Sequence, residues 1–335
     1  LLAMALYRRY RETGQAGLIE RAQGAAERAR ALSATLPEAH AAVGVIELAR
    51  GRSAEAAAAF ERGLELAPGD DALCRRIAAA YAELGRDQAA EGMYQRAIDL
   101  RSGYWYNHNA KGVFYLRRGR LPEARALFRR VVELRPETDT GYSNLAATLI
   151  LSGLHAEAEP LLNAALRLKP GRELHNNLGV VYYATGRYEE AARAWRAAAA
   201  AGSAEAVVFS NLGDAYRQLG QRAEARTSYA QAVELARARL GVNPADAEAR
   251  GWLAMALAGS GRCGEARQEA DRATATGQEP TVAYYAAVAS AVCADRPAAV
   301  RHTARALSGG VIADVKTNPD LKPLLRDPAL RKLLR

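Results

Sequence analysis

The feature that most constrains this chain is a recurrence. A small residue falls at Gly44, Ala78, Gly112, Ala146, Gly179 and Gly213, at intervals of 34, 34, 34, 33 and 34 residues. Seven residues after each comes a glycine: Gly51, Gly85, Gly119, Gly153, Gly186 and Gly220. Five further on stand Ala56, Ala90, Ala124, Ala158, Ala191 and Ala225, and four beyond those a bulky residue: Phe60, Tyr94, Phe128, Leu162, Trp195 and Tyr229. The spacing has a mechanical reason. A small residue in a first helix lets a second helix cross closely, the glycine ends the first helix in a left-handed cap, and residues four apart share one face of the second. Pro68, Pro136 and Pro170 then stop the second helix in three of the units.

A period of this length marks stacked supersecondary units, each unable to bury its apolar face alone. The pattern of small, aromatic, Gly, Ala, aromatic and Pro positions resembles the tetratricopeptide-repeat (TPR) consensus over residues 38–237. The resemblance implies an all-α, right-handed superhelix (an α-solenoid) of about nine antiparallel helix pairs. Residues 1–36 are expected to form a degenerate first pair, joined through Glu12-Thr13-Gly14 and Gln15-Ala16-Gly17. Residues 37–243 hold the six matched repeats, and 244–310 two degenerate ones. Residues 311–335 form a short helical cap, with helix starts at Asn318-Pro319 and Asp327-Pro328. The second helix after Tyr229 reads as overlong, because the next small residue, Ala254, arrives 41 residues after Gly213. In the last unit Asp295-Arg296-Pro297 stands where a turn glycine is expected.

Composition supports the helical reading. Half of the 335 residues are hydrophobic, but Ala is prominent among them and aromatics make up only 7%, which leaves few of the β-branched alternations that strands need. The longest nearly apolar stretch, Thr281 to Ala294, is too short to span a bilayer, so no membrane contact is expected within the chain. The sequence begins at Leu1 without a basic and apolar leader, which suggests a piece of something longer.

Further residues sharpen the resemblance. Tyr104-Trp105-Tyr106-Asn107-His108-Asn109, the run Ser210 to Arg217, the stretch Val242 to Ala247, and the tail motifs Asn318-Pro319-Asp320-Leu321 and Asp327-Pro328 occur in that order. Together they resemble the C-terminal TPR regions of bacterial serine/threonine kinases and of related signalling proteins that carry winged-helix or cyclase effectors. The chain has no kinase Gly-rich loop, His-Arg-Asp or Asp-Phe-Gly, and no nucleophile elbow, Walker loop or dinucleotide fingerprint. It is therefore read as a non-enzymatic array needing no cofactor.

In the TPR family the first helix of each pair lines a concave groove. Carried onto this chain, that places Tyr106, Asn109 and Arg117 in the groove from one unit, Asn176 and Tyr183 from another, and Asp214 and Arg217 from a third. Asn144, Asn177 and Asn211 repeat at one groove position. An asparagine amide both donates and accepts, so a ladder of them can pair with an extended backbone; the same residues can instead bond their own backbone and stiffen the stack. The reading is a scaffold for a protein or peptide, with no small-molecule substrate. Its rivals are a nucleic-acid-binding array using the net charge of +9, which an Arg-rich composition also explains without any nucleic acid, and the regulatory region of a kinase or cyclase. Self-association through the ends of the stack is a further option.

Five histidines and three cysteines lie without metal-ligand spacing, so no metal is expected. Cys263 and Cys293 fall at the same end of the stack. Free thiols in a cytoplasmic chain are the favoured reading; a disulfide between them is geometrically allowed and would point to a periplasmic or otherwise oxidising compartment.

Overall fold

The structure, a computed structural model, describes residues 2–13 and 15–334. Gly14, part of the expected first connection, lies outside the described residues, as do the side chains of Glu12 and Ala16. The described residues form α-helices and one 3₁₀ turn, with no strand among them. They fall into two compact units, 1–136 and 137–335.

The first unit holds α1 (Leu2–Thr13), α2 (Ala16–Leu32), α3 (Pro37–Ala49), α4 (Ser53–Leu66), α5 (Asp71–Glu83), α6 (Asp87–Leu100), α7 (Trp105–Arg117) and α8 (Leu121–Leu134). Each odd-numbered helix packs on the next as a hairpin, and the hairpins stack in sequence. The second unit continues in the same manner with α9 (Asp139–Leu151), α10 (His155–Leu168), α11 (Arg172–Ala184), α12 (Tyr188–Ala200), α13 (Ala206–Gln218) and α14 (Arg222–Val242). There follow α15 (Ala247–Gly259), α16 (Cys263–Thr276), α17 (Pro280–Val292) and α18 (Arg296–Ser308). The chain ends in α19 (Ile312–Thr317), a 3₁₀ turn (Lys322–Arg326) and α20 (Pro328–Leu333). This is the α-solenoid arrangement that the repeat predicts.

The packing follows the register read from the sequence. Phe60, Phe128, Leu162, Trp195 and Tyr229 are all essentially inaccessible, and so are the alanines one turn before them except Ala225, which is nearly so. The small residue of each first helix faces that aromatic. A Cβ built on Gly44, Gly112, Gly179 or Gly213 would sit 2.4–2.7 Å from the ring of Phe60, Phe128, Trp195 or Tyr229. The turn glycines all adopt positive φ, from 69° to 79° through Gly261. In the last hairpin Ala294 takes that conformation, with φ 57°, and Asp295 caps α18 by accepting from the Ala298 N–H. The overlong helix is α14, 21 residues against 13 or 14 in its neighbours.

A second lock recurs between neighbouring hairpins. Tyr115 of α7 donates its hydroxyl to Glu91 of α6, while Arg120 lies 4.2 Å over the Tyr115 ring and bonds the same Glu91 at 2.6 Å. Two repeats on, Arg187 covers the Tyr182 ring at 4.4 Å and bonds Glu159 at 2.7 Å. At these seams the Tyr115 ring is buried and the Tyr182 ring half-buried, each packed under an arginine.

Cys263, the first residue of α16, and Cys293, just beyond α17, are joined by a disulfide with Cα atoms 5.5 Å apart. The free-thiol reading gives way here. The start of one helix and the end of the next converge at a single turn level, which brings the two sulfurs within bonding distance. Cys74 is a free thiol buried in the first unit's core, and burial pushes it up in pKa.

Candidate binding site

In the second unit the last turns of the chain cross the inner face formed by the first helices. α19 packs on α18 and on α9, where Ala313 lies against the α9–α10 turn at Gly153. The segment is held by specific bonds. Arg217 of α13 forks onto the Asp320 carboxylate, Nη1 at 3.1 Å and Nη2 at 2.5 Å. Asn318 donates from Nδ2 to the Tyr284 hydroxyl at 3.0 Å and accepts from the Asp320 N–H at 2.9 Å. Val315, Leu321 and Leu330 are fully buried beneath the segment, in one apolar cluster with Ala283, Ala287 and Leu307.

Under this crossing lies a cavity of about 350 Å³. α11 contributes Asn176 and Tyr183, α13 Asn211 and Asp214, α15 Glu248 and Trp252, and α17 Tyr284 and Tyr285. Asp314, Thr317 and Asn318 close it from the terminal segment. Asn176 accepts a hydrogen bond from the Trp195 indole at 3.1 Å, which orients both side chains at the cavity edge.

The electrostatics are governed by burial. Asp214 is pushed up to about 6 by burial, against the pull of Arg217 and of the Tyr229 hydroxyl, which donates to it at 2.7 Å. Burial lowers the Arg217 guanidinium but Asp214 and Asp320 outweigh it, and the net direction is upward. Burial also raises Glu248 and Asp314 above the usual carboxylate range. Tyr183 and Tyr284 rise for the same reason.

Of the residues that sequence reasoning singles out, the structure brings Asn176, Tyr183, Asn211 and Asp214 to this cavity, with Arg217 behind Asp214. Arg217 and Asp214 are engaged by the chain's own atoms. Asn177 is half-buried and does not line the cavity; Asn144 is half-buried on α9, where its carbonyl accepts from Thr148 at 2.8 Å. Tyr106, Asn109 and Arg117 belong to the first unit. There Tyr106 is 44% exposed with Arg75 5.1 Å over its ring, Asn109 is buried, and Arg117 stands exposed 3.9 Å from Glu83.

Sequence reasoning missed Trp252, Tyr284, Tyr285, Glu248, Asp314 and Asn318. One of them had a signal: Trp252 precedes Ala254 by two residues, as Asn144, Asn177 and Asn211 precede their own small residues. The ladder register, continued one unit further, leads to it. Asp314 and Asn318 had none, because their place depends on where the terminal segment folds. Asn107, inaccessible to solvent, was also missed: it binds Arg75 and the Ala97 carbonyl and ties α7 to α5 and α6.

Tetratricopeptide-repeat family models match residues 75–139, 172–201 and 204–279. The bacterial transcriptional activator domain model matches residues 3–102. No curated protein matches the sequence. Among solved structures, a Pseudomonas aeruginosa protein described under the functional characterization of pilF is 20% identical with a TM-score of 0.53, over 59% of this chain and 91% of that one. PilW, a type IV pilus biogenesis factor, is 17% identical with a TM-score of 0.52, over 62% and 93%. The Cut9–Hcn1 assembly of the APC/C is 15% identical with a TM-score of 0.52; the match covers 95% of this chain and 59% of that one. At these identities the likeness is one of fold.

Proposed function

We infer that this chain, which belongs to the tetratricopeptide-repeat family, is a protein-interaction scaffold that holds a polypeptide segment against the first helices of its repeats. The observation that carries the reading is the terminal segment itself. Arg217 and Tyr284, on α13 and α17, already grip a stretch of polypeptide through Asp320 and Asn318. A face that binds chain in this manner has the donors, the aromatic floor and the buried charge that a partner segment needs. The partner either displaces residues 311–334 or lies beside them along Asn144, Asn177 and Asn211.

The test is affinity capture with the full chain as bait, beside a variant carrying Asn177→Ala, Asn211→Ala and Arg217→Ala, at low and high salt. A defined protein recovered by the first and lost by the folded variant supports the scaffold. Salt-labile nucleic acid without any protein overturns it.

A finer reading places the array in a larger bacterial regulator as its non-catalytic part. The activator-domain match to residues 3–102 favours a transcription regulator over a kinase or cyclase as that larger protein. The Cys263–Cys293 disulfide supports an oxidising compartment for residues 137–335 over the cytoplasm. Thiol alkylation of the chain in its source cell, before any lysis, separates the two compartments by the oxidation state it traps.

A further inference from the structure

We propose that the cavity between the first helices of the second unit and the terminal segment is a binding site for a small organic cation, an alkylammonium or alkylguanidinium group. The site goes beyond the scaffold reading and stands whether or not a partner uses the rest of the inner face.

The argument begins with charge. Glu205, Asp214, Glu248 and Asp314 line the cavity, and among the described residues no lysine, arginine or histidine lines it. Arg217 sits behind Asp214 but is shared with Asp320, so one cation serves two carboxylates. Arg239 reaches Glu248 at 3.6 Å, but it is shared with Asp246 at 2.6 Å, lies 4.7 Å over the Trp252 ring and is 46% exposed. Asp314 has no ion pair among the described residues; the His155 imidazole, itself held down by burial, acts on it without an ion-pair contact, and burial holds Asp314 above the normal carboxylate range. Two arginines, each shared with a further aspartate, thus face the cavity's carboxylates, of which Asp214 is buried, and a ligand cation offsets the negative charge that remains.

The walls fit the same ligand. Tyr183, Trp252, Tyr284 and Tyr285 present aromatic surface around the acids, and an organic cation on such faces gains from the ring quadrupole. The Tyr183 hydroxyl is buried and has no hydrogen-bond partner. Its oxygen can accept from an ammonium or guanidinium N–H. The cavity, at about 350 Å³, lies within the size range of small-ligand pockets. An anion would be repelled by the acids, and an uncharged apolar ligand would leave Asp314 and the Tyr183 hydroxyl without a partner.

The full chain with Trp105→Phe leaves only Trp195 and Trp252, both at the cavity, as indole fluorophores. It is titrated with n-butylammonium and n-butylguanidinium chloride, with sodium butyrate and sodium chloride as controls. A saturable change for a cation, absent for both controls, is expected. Asp314→Asn and Glu248→Gln, introduced singly, each weaken it by about tenfold. Unchanged circular dichroism and unchanged trypsin resistance of residues 311–334 show that the variants keep the fold. If the controls produce the same response, or both folded variants bind as tightly as the parent, the cation site is overturned. A capped Gly-Arg-Gly peptide distinguishes the source. Binding as tight as butylguanidinium assigns the site to a side chain of a polypeptide, and no binding assigns it to a free small cation; either result keeps the site.

Discussion

At the scale of single residues, the fold rests on contacts so close that one methyl group matters. Gly179 is the sharpest case: a Cβ there would stand 2.5 Å from the Trp195 indole, which is itself 2% exposed and bonded to Asn176. The ring cannot move without breaking that bond and the packing beyond it. Gly179→Ala is therefore expected to destabilise the second unit by about 1–3 kcal/mol, read from the urea midpoint. Where the partner in the second helix is Tyr94 or Leu162, the first helix carries Ala78 or Ala146 instead, although Tyr229 stands against Gly213. Ala294 presents the opposite situation. It holds the left-handed backbone that glycine takes in the other turns, at φ 57°. Relief of that strain, less the greater freedom of glycine in the unfolded chain, gives Ala294→Gly a stabilisation of about 0.5–1 kcal/mol, to be checked by thermal and urea unfolding.

At the scale of elements, two links hold the last hairpins and the terminal segment. The disulfide closes a loop of 30 residues between the start of α16 and the end of α17. Cys263→Ser with Cys293→Ser is expected to cost about 2–4 kcal/mol, seen as a lower melting point of the second unit; reductant on the parent protein gives the same shift. The Arg217–Asp320 fork is the other link, with the two side chains 29% and 15% exposed. Asp320→Asn removes the charge and weakens the fork. Tryptic cleavage at Lys316 and Arg326 is then about tenfold faster, because cutting tracks the open population of the segment. A rate equal to that of the parent would mean that Val315, Leu321 and Leu330 alone retain the segment.

At the scale of the whole molecule, the question is what a net charge of +9 does. Many of the 46 basic residues behind it are not free to neutralise phosphates. Arg118 bonds Asp87 at 2.7 Å, Arg187 bonds Glu159 and Glu190, and Arg250 bonds Glu269 at 2.8 Å. The Arg118–Asp87 and Arg187–Glu159 pairs stitch neighbouring hairpins, and all four keep a counter-charge beside the arginine. Duplex DNA is accordingly expected to bind only at low salt and to be released by about 0.15 M, as measured by fluorescence anisotropy. Binding that persists well above that salt would transfer the functional reading to nucleic acid.

The sequence by itself determined the repeat: the crossing point at Gly44 or Gly179, the turn at Gly186, the buried Trp195 and the overlong α14 are all local or nearest-neighbour requirements, written once per unit. Solenoid packing is short-range, so a period suffices to specify it. It also placed Asn176, Tyr183, Asn211 and Asp214 on helices that share a face. Only the tertiary structure decided what covers that face. The Asp320 that meets Arg217 is 103 residues away, and Asp314 and Asn318 arrive with it. No period encodes such a contact. It is set by where the last hairpin points the chain and by the burial of Val315, Leu321 and Leu330, and the same geometry at the end of the stack brought Cys263 to Cys293.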